Sequence, residues 1–178
     1  RAEINERGAD DYHGDEGPLS VSNMRIQRPI CDAWVAAAQA AGYPFNPDYN
    51  GSEQEGVGYF QLTTRNGRRC SAAVAYLNPE RSRQNLRIIT RAHVQKLLMD
   101  DNKKITGLTY AGRDGLTKTI HVRREVVLSS GAIGSPQILM QSGIGPADHL
   151  RENGIEVRYD LPGVGQGLQV LLQAMRGY

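Results

Sequence analysis

The chain has 178 residues, 39% of them hydrophobic, and a formal net charge of +2. Basic and acidic residues are intermixed along it, so no basic stripe suited to nucleic acid forms, and we expect no nucleic-acid partner. The longest apolar stretch, near residues 34–43, is too short to cross a membrane. The composition predicts a globular protein with a modest core, and membrane association is not indicated.

The first half of the chain is predicted to be rich in loops. Residues 1–17 are polar and are expected to form the tail of a helix followed by an exposed loop. Apolar residues at helical spacing predict a helix over 29–41, ended by Gly42 and Pro44. The remaining elements expected here are short strands at 18–22 and 57–64, a turn at 65–67 and a short helix at 71–76.

From residue 85 the pattern changes to successive strands. Four are predicted, at 86–90, 93–99, 105–111 and 117–122, joined by short turns as in a β-meander. Val126–Leu128 is a continuous apolar run, typical of a parallel strand covered on both faces. Helices are expected over 136–141 and 146–153. The overall prediction is a mixed α/β (α+β) fold with a domain boundary between 1–84 and 85–178.

Cysteine usage and the two ends of the chain bear on its setting. Cys31 and Cys70 are isolated, which favours two buried free thiols over a disulfide or a metal site and predicts a cytoplasmic location, with membrane association as the alternative. The sequence begins at Arg1 within a polar stretch and ends in LLQAMRGY without a closing element. We therefore expect an internal fragment of a longer chain.

The most informative stretch is GAIGSPQILMQSGIG, residues 131–145. It follows the apolar run and predicts a strand, a tight glycine turn and a helix, with Ser135 as N-cap and Pro136 in the first helical position. Backbone N–H groups at such a helix start suit a phosphate group.

This stretch closely resembles the second signature of the glucose–methanol–choline (GMC) oxidoreductases, FAD enzymes that oxidise alcohols. The resemblance continues from Asp11 to about Gln169, through GDEGPLSVS, AGYPFNPDYNG, EQEGVGYFQLTTRNGRRCSAAVAYL, REVVLSSGAIGSP and LPGVGQGLQ. Family members described as choline or alcohol dehydrogenases carry these blocks in this order. The resemblance implies a partial FAD-binding domain with a β-meander over 85–178 and part of a substrate-side domain over 1–84.

The resemblance also implies the cofactor, FAD, and the residues that contact it. They are the glycine turn and its flanks, the residue whose backbone touches the adenine, and a later glycine loop: Ser130, Gly131, Ala132, Ser135, Val94, Gly163 and Gly165. Each has an ordinary structural alternative, namely a capped strand–turn–helix connection, a strand valine and a glycine-rich linker. The implied partners are a small-molecule alcohol and an unidentified electron acceptor.

No catalytic residue is predicted, because the GxGxxG turn and the histidine that the family uses in catalysis do not occur in this sequence. The four histidines, His13, His93, His121 and His149, lack ligand-like spacing, so we expect structural or solvent-facing roles and no metal. Relatives usually carry an Asp-His pair where this chain has Val170 and Leu171, which weakens a specific claim for choline. The sequence predicts the central portion of an enzyme that oxidises a primary alcohol, choline-like or other, to an aldehyde by hydride transfer to flavin. The alternative is a non-catalytic fragment with no activity of its own.

Overall fold

The computed structural model describes residues 2–169. Within this range helices and short strands are mixed, which confirms the predicted α/β (α+β) class. The chain divides into two compact units, Arg1–Arg87 and a second unit that begins at Ile88. The assignment of each unit to a domain of a larger enzyme stays a prediction.

The first unit is built from two small sheets and a surface helix. Strand β1, Glu3–Asn5, pairs in parallel with β2, Leu19–Val21. Strands β3, Thr64–Arg65, and β4, Arg68–Arg69, form a short antiparallel hairpin with a two-residue turn. Helix α1 covers Pro29–Ala40, and a π-helix covers Ala73–Leu77.

The hairpin turn follows directly from its two residues. Asn66 and Gly67 have φ angles of 51° and 73°. Two consecutive positive φ angles define a type I′ turn, which asparagine and glycine tolerate better than other residues. The predicted turn at 65–67 is therefore confirmed.

Two predictions for the first unit are wrong. The expected helix tail in residues 1–17 is instead the strand β1, whose pairing with β2 depends on residues farther along the chain. The expected strand at 57–64 is formed only at Thr64, in β3, and otherwise makes isolated bridges, Val57 with Phe45 and Leu62 with Ser22. Because each bridge joins a different neighbouring segment, no ladder of hydrogen bonds builds up there.

Helix α1 has the predicted position but not the expected burial. None of its residues is buried, and Ile30 and Trp34 are 61% and 72% exposed. The periodicity of apolar residues marks the helix correctly, but it does not specify what covers the apolar face. Cys31 on this helix is also exposed, so the prediction of two buried thiols holds only for Cys70.

The second unit begins with the β-meander. Strands β5, His93–Met99, β6, Ile105–Ala111, and β7, Thr117–His121, form one antiparallel sheet in the order β5-β6-β7. Three of the four predicted strands are thus confirmed. The fourth strand is not formed, because residues 86–90 carry no strand pairing with any part of the chain that the structure describes.

Helix α2, Gly131–Gln141, packs on β5 and joins the sheet through Ser142. The Leu97 N–H donates to Ser142 Oγ at 2.7 Å, and the Ser142 hydroxyl donates to the Ile138 carbonyl at 2.5 Å. Leu97 and Ile138 are 6% and 8% exposed. Ser142 therefore links the backbone at the edge of β5 to α2 within the core.

A second connection completes the unit. Strand β8, Ile144–Gly145, pairs in parallel with β9, Tyr159–Asp160, and helix α3, Ala147–Glu152, lies between them in sequence. Leu150 of α3 is fully buried.

The predicted buried strand at Val126–Leu128 is not formed. The segment carries no strand pairing among the described residues, and Val127 is 77% exposed. A continuous apolar run becomes a buried strand only where neighbouring strands cover it, and none of the described strands does so.

Candidate functional site

The first element of the candidate site is the start of helix α2. Gly131 opens the helix with φ +83°, and Ser130 precedes it without a side-chain cap. The predicted N-cap at Ser135 is wrong, because the helix already begins at Gly131 and Pro136 lies inside it. The Ser135 hydroxyl instead accepts the Ser130 N–H at 3.0 Å, which ties the incoming chain to the first turns.

This helix start is open to a ligand. Ser130, Gly131 and Ala132 are exposed, and a Cβ added at Gly131 would meet no atom within 4 Å. The N–H groups of the first helical turn have no partners within the helix, and the helix dipole makes this end favourable for negative charge. The residues therefore fit a phosphate group, and the donor is the backbone rather than any side chain.

Val94 lies near the start of β5 and is half-buried. It pairs with Tyr110 on β6, immediately before a β-bulge that shifts the register between Val94 and Lys96. Bulges locally disrupt strand pairing and re-aim neighbouring groups. The position is compatible with backbone contact to a ligand, but the side chain contributes no distinctive chemistry.

The glycine loop lies at the other end of α2. Gly163 and Gly165 flank Val164, which is 9% exposed and anchors the loop. Gly165 has φ +78°, and a Cβ there would lie 3.4 Å from Cε of Met140. Since α2 is roughly 16 Å long, the structure places this loop and the Gly131 turn at opposite ends of one helix.

The predicted cofactor residues do not meet in one cavity. A cavity of about 280 Å³ in the second unit is lined by parts of β5 and by residues after α2, including Lys96, Ser142 and Arg158. None of the predicted cofactor residues lines it. The structure therefore brings Ser130, Gly131, Ala132 and Ser135 together at the start of α2. Val94 and the Gly163–Gly165 loop lie apart from this group.

The first unit contains a buried histidine that the sequence did not single out. His13 is 4% exposed, with Nε2 2.6 Å from Asp48 Oδ2 and Nδ1 3.2 Å from Glu3 Oε1. The hydrogen bond to Asp48 raises the pKa of His13, assisted by Glu3, while burial opposes the rise. The role is structural, as predicted, but no spacing signal indicated a partner 35 residues away.

The carboxylates around His13 form an ion-pair network with it. Ligand atoms of Asp10, His13 and Asp48 lie within 4.8 Å of one another. Both ring nitrogens of His13 face carboxylates. In addition, Asp10 Oδ1 accepts the N–H groups of Tyr12 and His13.

No helix in residues 2–169 is long and apolar enough to span a bilayer. The predicted departure at Val170 and Leu171 lies outside the described residues.

Sequence comparison identifies relatives over almost the whole chain. The family model for GMC oxidoreductase matches residues 4–173. The chain is 47% identical, over all of its length, to the oxygen-dependent choline dehydrogenase of Paraburkholderia phymatum, and 46% identical, over 95% of its length, to the mitochondrial choline dehydrogenase of Mus musculus. It covers only 31% and 28% of those two proteins.

Structure comparison agrees. The pyridoxine 4-oxidase from Mesorbium loti matches 90% of the chain with a TM-score of 0.82 and 35% identity, and the chain covers 31% of that structure. An FAD-dependent oxidoreductase from Chaetomium thermophilum matches 84% with a TM-score of 0.76 and 32% identity, and the chain covers 26% of it. With the family match over residues 4–173, these similarities show that the chain belongs to the GMC oxidoreductase family.

Proposed function

We propose that this chain forms the central part of an FAD-dependent GMC oxidoreductase that oxidises a primary alcohol, choline or a related compound, to an aldehyde. The observation that carries the proposal is the family match over residues 4–173, together with identities of 46–47% to choline dehydrogenases. FAD, when bound, accepts the hydride, and an electron acceptor still to be identified reoxidises it. The chain spans about 30% of its curated relatives, so the activity belongs to the whole enzyme.

The start of α2 is the part of this chain best suited to hold FAD. The exposed backbone of Gly131 and Ala132 would bind the diphosphate through N–H groups, with Ser130 immediately before them. Ser135 orients this turn through its bond to the Ser130 N–H.

The other predicted FAD contacts are less directly supported. Val94 would contribute backbone contact from β5, and the loop with Gly163 and Gly165 would contribute a further contact at the opposite end of the helix. We assign the second unit to the FAD-binding domain and the first unit to the substrate-side domain. No residue of the chain is proposed as catalytic.

The test is flavin reduction by alcohols in the complete protein encoded by the gene that carries this sequence. The purified protein, loaded with FAD, is mixed anaerobically with choline and with a series of other primary alcohols. Bleaching of the flavin absorbance by at least one alcohol is expected. A protein that binds FAD but is bleached by no alcohol refutes the reaction, and one that binds no FAD refutes the cofactor.

A matched pair of variants tests the role of the helix start. Gly131→Ala places a Cβ on the proposed diphosphate-binding turn, and Gly8→Ala places one at a similar φ angle, +92° against +83°, in the first unit. Both sites are otherwise open, so the backbone strain is comparable. We expect FAD affinity to fall about tenfold in the first variant and to stay unchanged in the second. Equal affinities would remove the helix start from the FAD site.

The structure also favours a second candidate, that the 178-residue chain alone is inactive. Large apolar side chains are uncovered in both units, with Trp34 72%, Ile133 73% and Val127 77% exposed. Exposed apolar surface of this kind normally packs against other protein. Alcohol-dependent reduction of a dye by the purified chain would overturn this candidate.

A further inference from the structure

His13 is held in a geometry that suits only one of its protonation states. Each ring nitrogen faces a carboxylate oxygen, Asp48 Oδ2 at 2.6 Å and Glu3 Oε1 at 3.2 Å. A neutral imidazole carries one N–H and one lone pair, so one of the two carboxylates would face a lone pair. The imidazolium donates to both. The arrangement of oxygens therefore selects the charged ring, although the side chain is almost fully buried.

The charged groups around the ring support the same conclusion. Glu3 lies on β1, Asp48 lies in the loop before Tyr49, and Asp10 lies in the loop of His13 itself, where its carboxylate accepts the His13 N–H at 2.6 Å. Arg7 is the cation facing this group, with its guanidinium 3.6 Å from Asp48. Loss of the proton from His13 therefore removes a positive charge from beside these carboxylates, which is unfavourable.

The three side chains lie beside a cavity. A cavity of about 540 Å³ in the first unit is lined by residues that include Glu3, His13, Tyr49 and Asn50. Asp48 immediately precedes the latter pair in sequence. The loop has its own internal bond, since the Asp48 N–H donates to Asn46 Oδ1 at 2.8 Å.

We propose that Glu3, His13 and Asp48 form a pH-sensitive clasp, which holds the loop of residues 46–51 against β1 most tightly while His13 is protonated and loosens when His13 loses its proton and keeps only one of its two bonds to carboxylates. Loosening lets the loop that carries Tyr49 and Asn50 move relative to Glu3. The clasp acts on the first unit alone and does not depend on the proposed enzymatic function.

The direction of the pH effect follows from the two states of the ring. In the closed form the carboxylates raise the pKa of His13 above its usual 6.5. The stabilisation by the clasp is therefore complete below about pH 6.5 and is lost as the pH rises through the elevated pKa. Increasing pH therefore loosens the loop, and acidification tightens it until the carboxylates themselves become protonated.

Hydrogen exchange of the complete protein that carries this sequence tests the clasp. The protection of the amides in residues 46–51, corrected for the intrinsic pH dependence of exchange, is measured from about pH 6 to about pH 9. We expect protection to fall by about tenfold across this range. His13→Gln should show low protection at every pH, and His149→Gln, which changes an exposed histidine, should behave as the unmodified chain does.

A second variant keeps the test decisive if His13→Gln does not fold. Glu3→Gln removes one of the two carboxylates and leaves the contact between His13 and Asp48 in place. Its transition should move to lower pH, because one carboxylate fewer then stabilises the imidazolium. Protection that does not change with pH in the unmodified chain, or an unmoved transition in Glu3→Gln, would overturn the proposal.

Discussion

Ser142→Ala tests how the meander is fastened to helix α2. In the native chain Ser142 Oγ accepts the buried Leu97 N–H at 2.7 Å and donates to the Ile138 carbonyl at 2.5 Å. The Ile138 carbonyl keeps a second donor, the Ser142 N–H at 3.1 Å, so only the Leu97 N–H is left without a partner. An unsatisfied buried donor costs about 1–3 kcal/mol, and the lost second bond adds about 0.5–1 kcal/mol. We expect a total of about 2–3 kcal/mol.

Native-state hydrogen exchange of the β5 amides measures this cost. A loss of about 2–3 kcal/mol corresponds to a roughly 30- to 150-fold larger opening equilibrium. Ser129→Ala is the matched control, because Ser129 is exposed and its substitution should change stability by less than about 0.5 kcal/mol. If the two variants exchange at the same rate in β5, the serine does not fasten the strand and the reasoning fails.

Three further substitutions have definite expected outcomes. Gly107→Ala should abolish the folded meander or lower the free energy of unfolding by about 3 kcal/mol or more, because the added Cβ would overlap the Ile120 carbonyl. Cooperative unfolding of the second unit at native stability in a circular-dichroism melt would contradict this. The hydrogen bond to Asp32 raises the pKa of Tyr59 to about 12. Tyr59→Phe should therefore remove the tyrosine that ionises at this high pH in an ultraviolet titration. An unchanged titration above about pH 11 would refute the assignment. Trp34, 72% exposed, should drive self-association of the chain, so Trp34→Gln should lower the average mass measured by sedimentation. An unmodified chain that sediments as a sharp monomer would show that the exposed face does not cause association.

Features that depend on neighbouring residues were predictable from the sequence. The meander strands His93–Met99 and Ile105–Ala111 follow from alternating apolar residues bounded by turns. The helix Pro29–Ala40 follows from its periodicity and from Pro29 at its start. The glycine turn at Gly131 was located correctly, although the start of the helix was misplaced because a serine followed by proline resembles a cap.

Family membership was likewise accessible from the sequence, because it depends on the order of blocks such as REVVLSSGAIGSP and not on packing. The match over residues 4–173 confirms it. The FAD contacts proposed for Val94, Gly163 and Gly165 come only from that resemblance. The structure places Val94 on β5 and Gly165 beside Met140, in the C-terminal part of α2.

The sequence by itself determined the local elements, the Asn66-Gly67 hairpin turn and the family, because helical period, strand alternation and turn chemistry are properties of adjacent residues. Only the tertiary structure decided that Val127 and Trp34 are exposed and that His13 is buried between Glu3 and Asp48. The physical reason is that burial and charge pairing depend on groups far apart in the chain. Their proximity is set by packing, which no local pattern encodes.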